Sequence, residues 1–323
     1  MLDAPYTLIK SKVEVEAPAS IANLGPGFDL LAVAIDAYRD RVVVKAEQGN
    51  GDIYLVVNGY EVPSDGNNVA YVVTREFIKK EGIKDIDVRI ELVKGVPVGA
   101  GLGSSAATSV AISYALHVLF KPVVDMSSIL YYSAIGEAFV AGVPHYDNIS
   151  ASLYGGFVFI DHSNMHVYAF KPCMDIYIGV VTPLSSVIRE RKTQISRSLL
   201  PPAISLEDHV RQSSSLVKLV YSIMKCDPRL FGEAITQDYL IEPARSKLIP
   251  YYNELKKIAL DNGAYGFNIA GAGPSVFFIH EDRDVVTNIA KTLVEFYLKH
   301  GIESVYVITK PRDKGSEIIR ADD

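Results

Sequence analysis

The stretch KGVPVGAGLGSSAATSV, Lys94 to Val110, restricts the fold more than any other. Ahead of it, Ile86, Val88, Ile90 and Leu92 alternate with Asp87, Arg89 and Glu91, the pattern of a half-buried strand. Behind it, Ser104 to Phe120 is apolar nearly all round, which predicts a helix buried on several sides. A strand-to-helix connection needs only about two to six residues, whereas Lys94 to Gly103 supplies about ten. Its glycines can turn successive N–H groups inward, and the helix start adds its positive dipole end, a nest suited to a phosphate. The dinucleotide fingerprint would need glycine where Ser104 stands, and the Walker loop a lysine before Ser or Thr, where only Gly103 or Ser104 is available. The plainer reading is a tight connection whose glycines allow close packing. One serine suffices to cap the helix, a contribution of about 1 kcal/mol, which leaves the second hydroxyl for a metal or a phosphate.

The 323 residues suit two domains or one large one, and the 49% apolar content marks a globular chain. A net charge of −6, with 32 basic and 38 acidic residues well mixed, gives no footprint for nucleic acid or an anionic membrane and favours a small soluble ligand. Cys173 and Cys226 are far apart and form no CxxC pair, so neither a disulfide framework nor a thiolate metal site is expected, and a reducing cytoplasm fits. No charge-free apolar run approaches the length of a membrane span, and the first residues lack a long apolar core, so a chain neither exported nor membrane-spanning is expected.

Strands are expected at Val13–Ala17, Arg41–Ala46 and Ile53–Val57, and a helix from Val69 behind Asn67 and Asn68 with Gly82 as its stop. A helix over Ser127–Ala141 and a hairpin of GGFVFI and HVYAF about DHSNM follow. CMDIYIGVVTP reads as a strand and SSVIRERKTQISRSLLPP as a loop or lid. Beyond it come helices at Leu206–Lys225, Tyr251–Asp261 and Val285–His300, and strands at Tyr265–Ile269, Val276–His280 and Ser304–Ile308. The class is α/β or α+β, with a boundary near residues 165 to 172.

PVGAGLGSSAA resembles the second motif of the GHMP kinases. APASIANLGPGFDLL (Ala17–Leu31) resembles the first and IAGAGPSVFFI (Ile269–Ile279) the third, in the right order and covering essentially the whole chain. The resemblance implies an α+β protein of two domains, 1–168 and 169–323. The first would be ribosomal-protein-like with a left-handed βαβ unit, the second ferredoxin-like, with ATP between them. It assigns Pro97, Gly99, Ala100, Gly101, Leu102, Gly103, Ser104 and Ser105 to the nucleotide, with Asn68 near the adenine, and Ser105 and Glu137 to Mg2+. Glu137 lies in the otherwise apolar AIGEAFVAG, where a carboxylate needs a partner or a cation unless it faces solvent.

NLGPGFD, HYDNISASLYGGF (His145–Phe157) and EPARSKLIP (Glu242–Pro250) most resemble the homoserine-phosphorylating branch of that family. A zwitterion with a primary hydroxyl needs an anion for its ammonium and a cationic fork for its carboxylate. The resemblance gives Asn23 and Asp29 to the first, and Arg197, Arg245 and Thr193 to the second, with Gly271 beside them. Asp29 also fits an Asx-turn, Asn23 a cap, and Arg197 a solvated charge run with Arg189, Arg191 and Lys192. Asn148 stands where mevalonate kinase and galactokinase place an Asp. An amide accepts no proton, which implies catalysis by alignment and charge neutralisation, with Asp147 as the rival base. His145, His162 and His166 are not expected to bind metal. A kinase for mevalonate or shikimate, or a non-catalytic regulator on the same scaffold, are the alternatives. The resemblance implies a cytoplasmic homodimer with small-molecule partners and no nucleic-acid or membrane partner.

Overall fold

A computed structural model describes residues 8–184 and 192–323; the side chains of residues 192–194 lie outside the described part. The chain opens with β1 (Lys12–Ala22), β2 (Leu31–Gln48), β3 (Ile53–Gly59), α1 (Val69–Glu81) and β4 (Ile86–Lys94). Val13, Val15, Ala17, Ala19 and Ile21 of β1 are all fully buried, so the VEVEA alternation continues well past Ala17. Asn68 caps α1 by accepting from the Ala70 amide, and Gly82 ends it in the left-handed region at φ 66°, as the sequence predicts. β3 and β4 are joined by α1 and are the parallel pair among the described strands.

Next come α2 (Ser104–Phe120), α3 (Met126–Ala141) and α4 (Tyr146–Tyr154), then the hairpin of β5 (Phe157–Asp161) and β6 (His166–Phe170). The expected cap of α2 is not made: its N-cap is Gly103, with no side-chain hydrogen bond. α4 was not anticipated, because YDNISASLY is too short and too polar to carry a helical period.

The second half contains β7 (Tyr177–Pro183), α5 (Lys192–Ser198), α6 (Leu206–Lys225), α7 (Pro228–Thr236), α8 (Ile241–Arg245), α9 (Tyr252–Asp261), β8 (Gly266–Ile269), β9 (Val276–His280), α10 (Arg283–Lys299) and β10 (Ser304–Thr309). Its four strands run β10-β7-β9-β8, all pairs antiparallel, with helices between the first and second and between the third and fourth in chain order. That is the ferredoxin-like βαββαβ plan. α5 lies where a loop or lid was expected, and Arg189 and Arg191 of that stretch lie outside the described residues.

The last strand, β11 (Glu317–Asp322), returns to pair with β1, giving a seven-stranded first sheet in the order β11-β1-β2-β4-β3 with β5 and β6 beside β2. A cut at 168/169 falls within β6 and strands β11 on the wrong side, so we propose a division by sheets: residues 8–172 with 310–323, and 173–309 between. The two parts share one apolar core, in which Leu102, Val110 and Phe157 of the first join Ile176, Phe231 and Phe277 of the second.

Cys173 and Cys226 form a disulfide with a Cα–Cα distance of 5.4 Å, contrary to the expectation of free thiols. Their separation of 53 residues concealed it. α6 packs Leu219 and Ile223 into the shared core beside Met174 and Ile176, which brings its C-cap back to the segment before β7. Closing a loop of this length stabilises the fold by about 4 kcal/mol on the chain-entropy model.

Candidate active site

The site is built over a buried ion pair. Asp40, in β2, is fully buried, and Lys94, the last residue of β4, is 4% exposed. The Lys94 ammonium donates to Asp40 Oδ2 and, at 2.9 Å, to the Ser104 carbonyl. Asp40 Oδ1 accepts from the amides of Gly95 (3.0 Å) and Val96 (2.9 Å), and Thr108 of α2 donates to Oδ2 at 2.5 Å. One carboxylate thus holds both ends of the Lys94–Ser104 loop. Burial pulls the Lys94 pKa down, and the Asp40 charge opposes it.

Over this pair the glycines curl. Gly101 (φ 84°) and Gly103 (φ 68°) are left-handed. A Cβ at Gly101 would lie 2.4 Å from the Ala270 carbonyl oxygen, which excludes a side chain there, and one at Gly103 would lie 2.3 Å from Ser20 Oγ and displace that hydroxyl. Ser104 Oγ donates to the Val96 carbonyl at 3.0 Å and closes the loop, while Ser105 Oγ donates to Glu137 Oε2 at 2.6 Å. The first-turn amides of α2, with no side-chain cap, face the cleft that Gly99, Gly101, Gly103, Ser104 and Ser105 line. Ala100 and Leu102 instead bury their side chains in the core, and their carbonyls accept from Ser275 and Ser20. Pro97 is half-buried and does not line the cleft.

The other end of the cleft is charged. Asn23 (φ 71°) and Asp29 (φ 56°) both hold left-handed backbone, which Asn and Asp adopt more readily than other residues with side chains. Asn23 Nδ2 donates to the Gly271 carbonyl at 2.9 Å, and its Oδ1 accepts from the Asp29 amide at 3.1 Å. Arg245, 3% exposed, donates from Nη1 to the same Gly271 carbonyl at 3.1 Å, and its Nε has no hydrogen-bond partner. Burial pulls its pKa down to about 10, against the Asp29 charge and with the Arg197 charge. Arg197, on α5, pairs with Asp29 Oδ2 at 2.7 Å and donates from Nε to His145 Nε2 at 3.4 Å, so it reaches two residues that line the cleft. Thr193 lies on the same helix, with its side chain outside the described part.

Between the two ends lies α4. His145 Nδ1 donates to Glu137 Oε1 at 3.1 Å. Burial lowers its pKa, but the hydrogen bond and charge of Glu137 outweigh that and leave it raised. Asp147, 1% exposed, is pushed up to about 6 by burial and by the Asp29 charge. Its Oδ1 accepts from the Asn148 amide at 2.8 Å, and Asn148 Oδ1 accepts from Ser20 Oγ at 2.9 Å. His162 Nε2 donates to the Asp29 carbonyl at 2.9 Å.

The resulting cleft has a volume of about 370 Å³, within the range of small-molecule sites. Val62, Pro63, Val69, Leu92, Val98 and Val140 form an apolar mouth near Asn68, whose Nδ2 donates to the Pro63 carbonyl. Sequence reasoning missed most of these, along with Asp40, Lys94 and His145, since single apolar residues and isolated charges carry no motif. An aromatic base would sit in the mouth, phosphates over the α2 amides, and a small zwitterion between Asp29 and the arginines.

The model of the GHMP kinases N terminal domain matches residues 68–156 and that of the GHMP kinases C terminal matches residues 219–299. Homoserine kinase of Pyrococcus abyssi is 36% identical over 301 residues, 93% of this chain and 97% of that protein. That of Thermoplasma volcanium is 32% identical over 308 residues, 95% and 97% respectively. The crystal structure of homoserine kinase from Cytophaga hutchinsonii superposes with a TM-score of 0.86 at 30% identity, covering 98% of this chain and all of the other. Mevalonate kinase of L. major with R-mevalonate shares the fold, with a TM-score of 0.73 at 13% identity over 95% and 99% of the two chains.

Replacing one member of a buried ion pair leaves the other uncompensated, at a cost of about 3–5 kcal/mol. Lys94→Met is expected to lose that much in urea unfolding, and a loss below about 1 kcal/mol would show that the pair does not hold the loop.

Proposed function

The chain belongs to the GHMP kinase family, and on that premise we propose that it transfers the γ-phosphoryl group of ATP to the side-chain hydroxyl of L-homoserine. The products are ADP and O-phospho-L-homoserine, a precursor of threonine. One observation carries this reading: Asp29 and Arg245 line the same cleft as the glycine loop, and Arg197 pairs with Asp29 beside it. Mevalonate and shikimate have no ammonium, so their carboxylate would compete with Asp29 for Arg197 and offer Asp29 no cation in exchange.

In this reading the α2 amides and the glycine loop cradle the triphosphate, and the apolar mouth takes the adenine with Asn68 at its edge. Asp29, with Asn23, takes the acceptor's ammonium; Arg245 and Arg197, with Thr193 beside them, take its carboxylate. Gly271 fixes the group through its carbonyl, shared by Asn23 and Arg245. Ser105 Oγ and the buried Glu137 carboxylate offer hard oxygen ligands 2.6 Å apart. That suits Mg2+, which takes one or two protein oxygens and completes its shell with phosphate and water. The ion would neutralise phosphate charge as the leaving oxygen develops. His145 holds the other Glu137 oxygen and so fixes the carboxylate's orientation.

Asn148 is held by Ser20 and Asp147 where it can align the attacking hydroxyl. Its amide takes no proton, and a loose phosphoryl-transfer transition state needs little base assistance, so the γ-phosphate is the proton's destination. Asp147 is the competing base. An ATP and amino-acid chemistry makes the cytoplasm the compartment we propose. The exposed Cys173–Cys226 bridge is reducible by a cytosolic thiol pool, so its stabilisation there depends on redox state.

The homodimer we propose uses α6. Its inner face is buried at Leu219 and Ile223, yet Leu206, Val210, Val217, Tyr221 and Met224 are 53% to 78% exposed on its outer side. A helix apolar on both faces is one meant to be covered. Glu207 and Asp208 lie in its first turn and Lys225 in its last. An antiparallel second copy crossing between Ser215 and Leu216 sets Val210 against Tyr221, Ser214 against Val217, and the acidic end beside Lys225.

Phosphorylation assayed across homoserine, threonine, mevalonate and shikimate should favour homoserine, and turnover of another alcohol in its place would refute the reading. In the same assay Arg245→Ala should raise the homoserine KM roughly ten- to a hundred-fold with the ATP KM unchanged. Glu137→Gln should abolish turnover more than it weakens nucleotide binding. Asp147→Asn should retain turnover, whereas a fall of several decades in a folded variant would make Asp147 the base. Val217→Glu should convert a dimer to a monomer in light scattering, and an unchanged mass would remove α6 from the interface.

A further inference from the structure

Phe28 sits between Gly27 and Asp29 in the first-motif loop, half-buried, and no role has yet been given to it. The Arg245 guanidinium carbon lies 4.9 Å from its ring centroid and that of Arg197 lies 5.6 Å away. Both distances are within the reach of a cation over an aromatic face. The two guanidinium groups come from different elements, α5 and α8, and each lowers the comfort of the other: the Arg197 charge helps to depress Arg245. Arg245 Nε has no hydrogen-bond partner, and Nη1 holds a single carbonyl. Arg197 donates from Nη2 to Asp29 Oδ2 at 2.7 Å and from Nε to His145 Nε2 at 3.4 Å. Hydrogen bonding within the protein therefore holds Arg197 at two of its nitrogens and leaves the Arg245 fork incompletely fixed.

We propose that Phe28 is a positioning residue that sets the two arginines as one fork for the substrate carboxylate. Its ring offers negative π density to both cations, partly offsets their repulsion, and limits the planes in which each guanidinium can lie. The loop that presents it is fixed by the Gly27 carbonyl, which accepts from the Leu30 and Leu31 amides. Because Phe28 and Asp29 are adjacent, one loop sets the spacing between the anion for the ammonium and the fork for the carboxylate. The inference rests on the homoserine reading above.

The test compares Phe28→Leu and Phe28→Tyr with the wild type on homoserine and on 3-aminopropan-1-ol, the same amino alcohol without the carboxylate. Phe28→Leu should raise the homoserine KM about ten-fold, with kcat, the ATP KM and the efficiency on 3-aminopropan-1-ol within about two-fold of wild type. Phe28→Tyr, which keeps the π face, should restore the homoserine KM. Calorimetric binding of 4-hydroxybutyrate, which carries only the carboxylate, should weaken about ten-fold in Phe28→Leu and recover in Phe28→Tyr, without any dependence on phosphoryl transfer. An unchanged homoserine KM and 4-hydroxybutyrate affinity in Phe28→Leu overturns the proposal, and so does an equal loss on both alcohols and ATP. A wild-type enzyme inactive on homoserine refutes the functional reading instead, and the 4-hydroxybutyrate titration then still decides Phe28.

Discussion

The contact between Lys94 and Asp40 is the constraint from which the rest of the site follows. A buried ammonium and a buried carboxylate are tolerable only when each neutralises the other and their remaining hydrogen-bonding capacity is filled. Here the Gly95 and Val96 amides, Thr108 and the Ser104 carbonyl fill it. Every one of those partners belongs to the phosphate loop or to the helix it starts. Satisfying the ion pair therefore fixes where β4 ends, how the glycines curl and where α2 begins. Its first amides are left to a ligand, because no side chain caps them.

The acceptor end obeys the same electrostatics in a more open setting. Asp29 and Arg197 pair with each other at 2.7 Å, each about a third exposed. Groups that recognise a zwitterion are complementary to one another, so without it they satisfy each other. A substrate carrying both charges replaces both halves of that pair, while one carrying a single charge leaves the other half unpaired. In the proposed homoserine reading, alcohols with only one of the two charges would be disfavoured for that reason.

Much of the fold was legible because its signals are local. Alternation marked β4, all-round apolarity marked α2, and Asn68 and Gly82 bounded α1. α4 was missed because nine largely polar residues carry no period, and β11 because an edge strand of mixed polarity has none either. The disulfide was missed because two cysteines 53 residues apart say nothing about distance. Within the site, Ser105, Glu137, Asn23, Asp29 and Arg245 were found through motifs. His145, Asp40 and Lys94 needed the fold, since each is an ordinary residue type whose meaning lies in its partner.

The amino-acid sequence by itself indicated the class of chemistry: three motifs in order resemble those of the GHMP kinases, and the glycines give the loop the backbone freedom that a phosphate nest requires. It also determined most of the longer elements, because periodicity and caps act over a few residues. Which serine closes the loop and which meets Glu137, whether Arg197 faces solvent or Asp29, and which residues share the Gly271 carbonyl were decided by tertiary structure. Those outcomes depend on burial, which makes unpaired charges and unmet hydrogen bonds costly, and burial is set by residues distant in the chain.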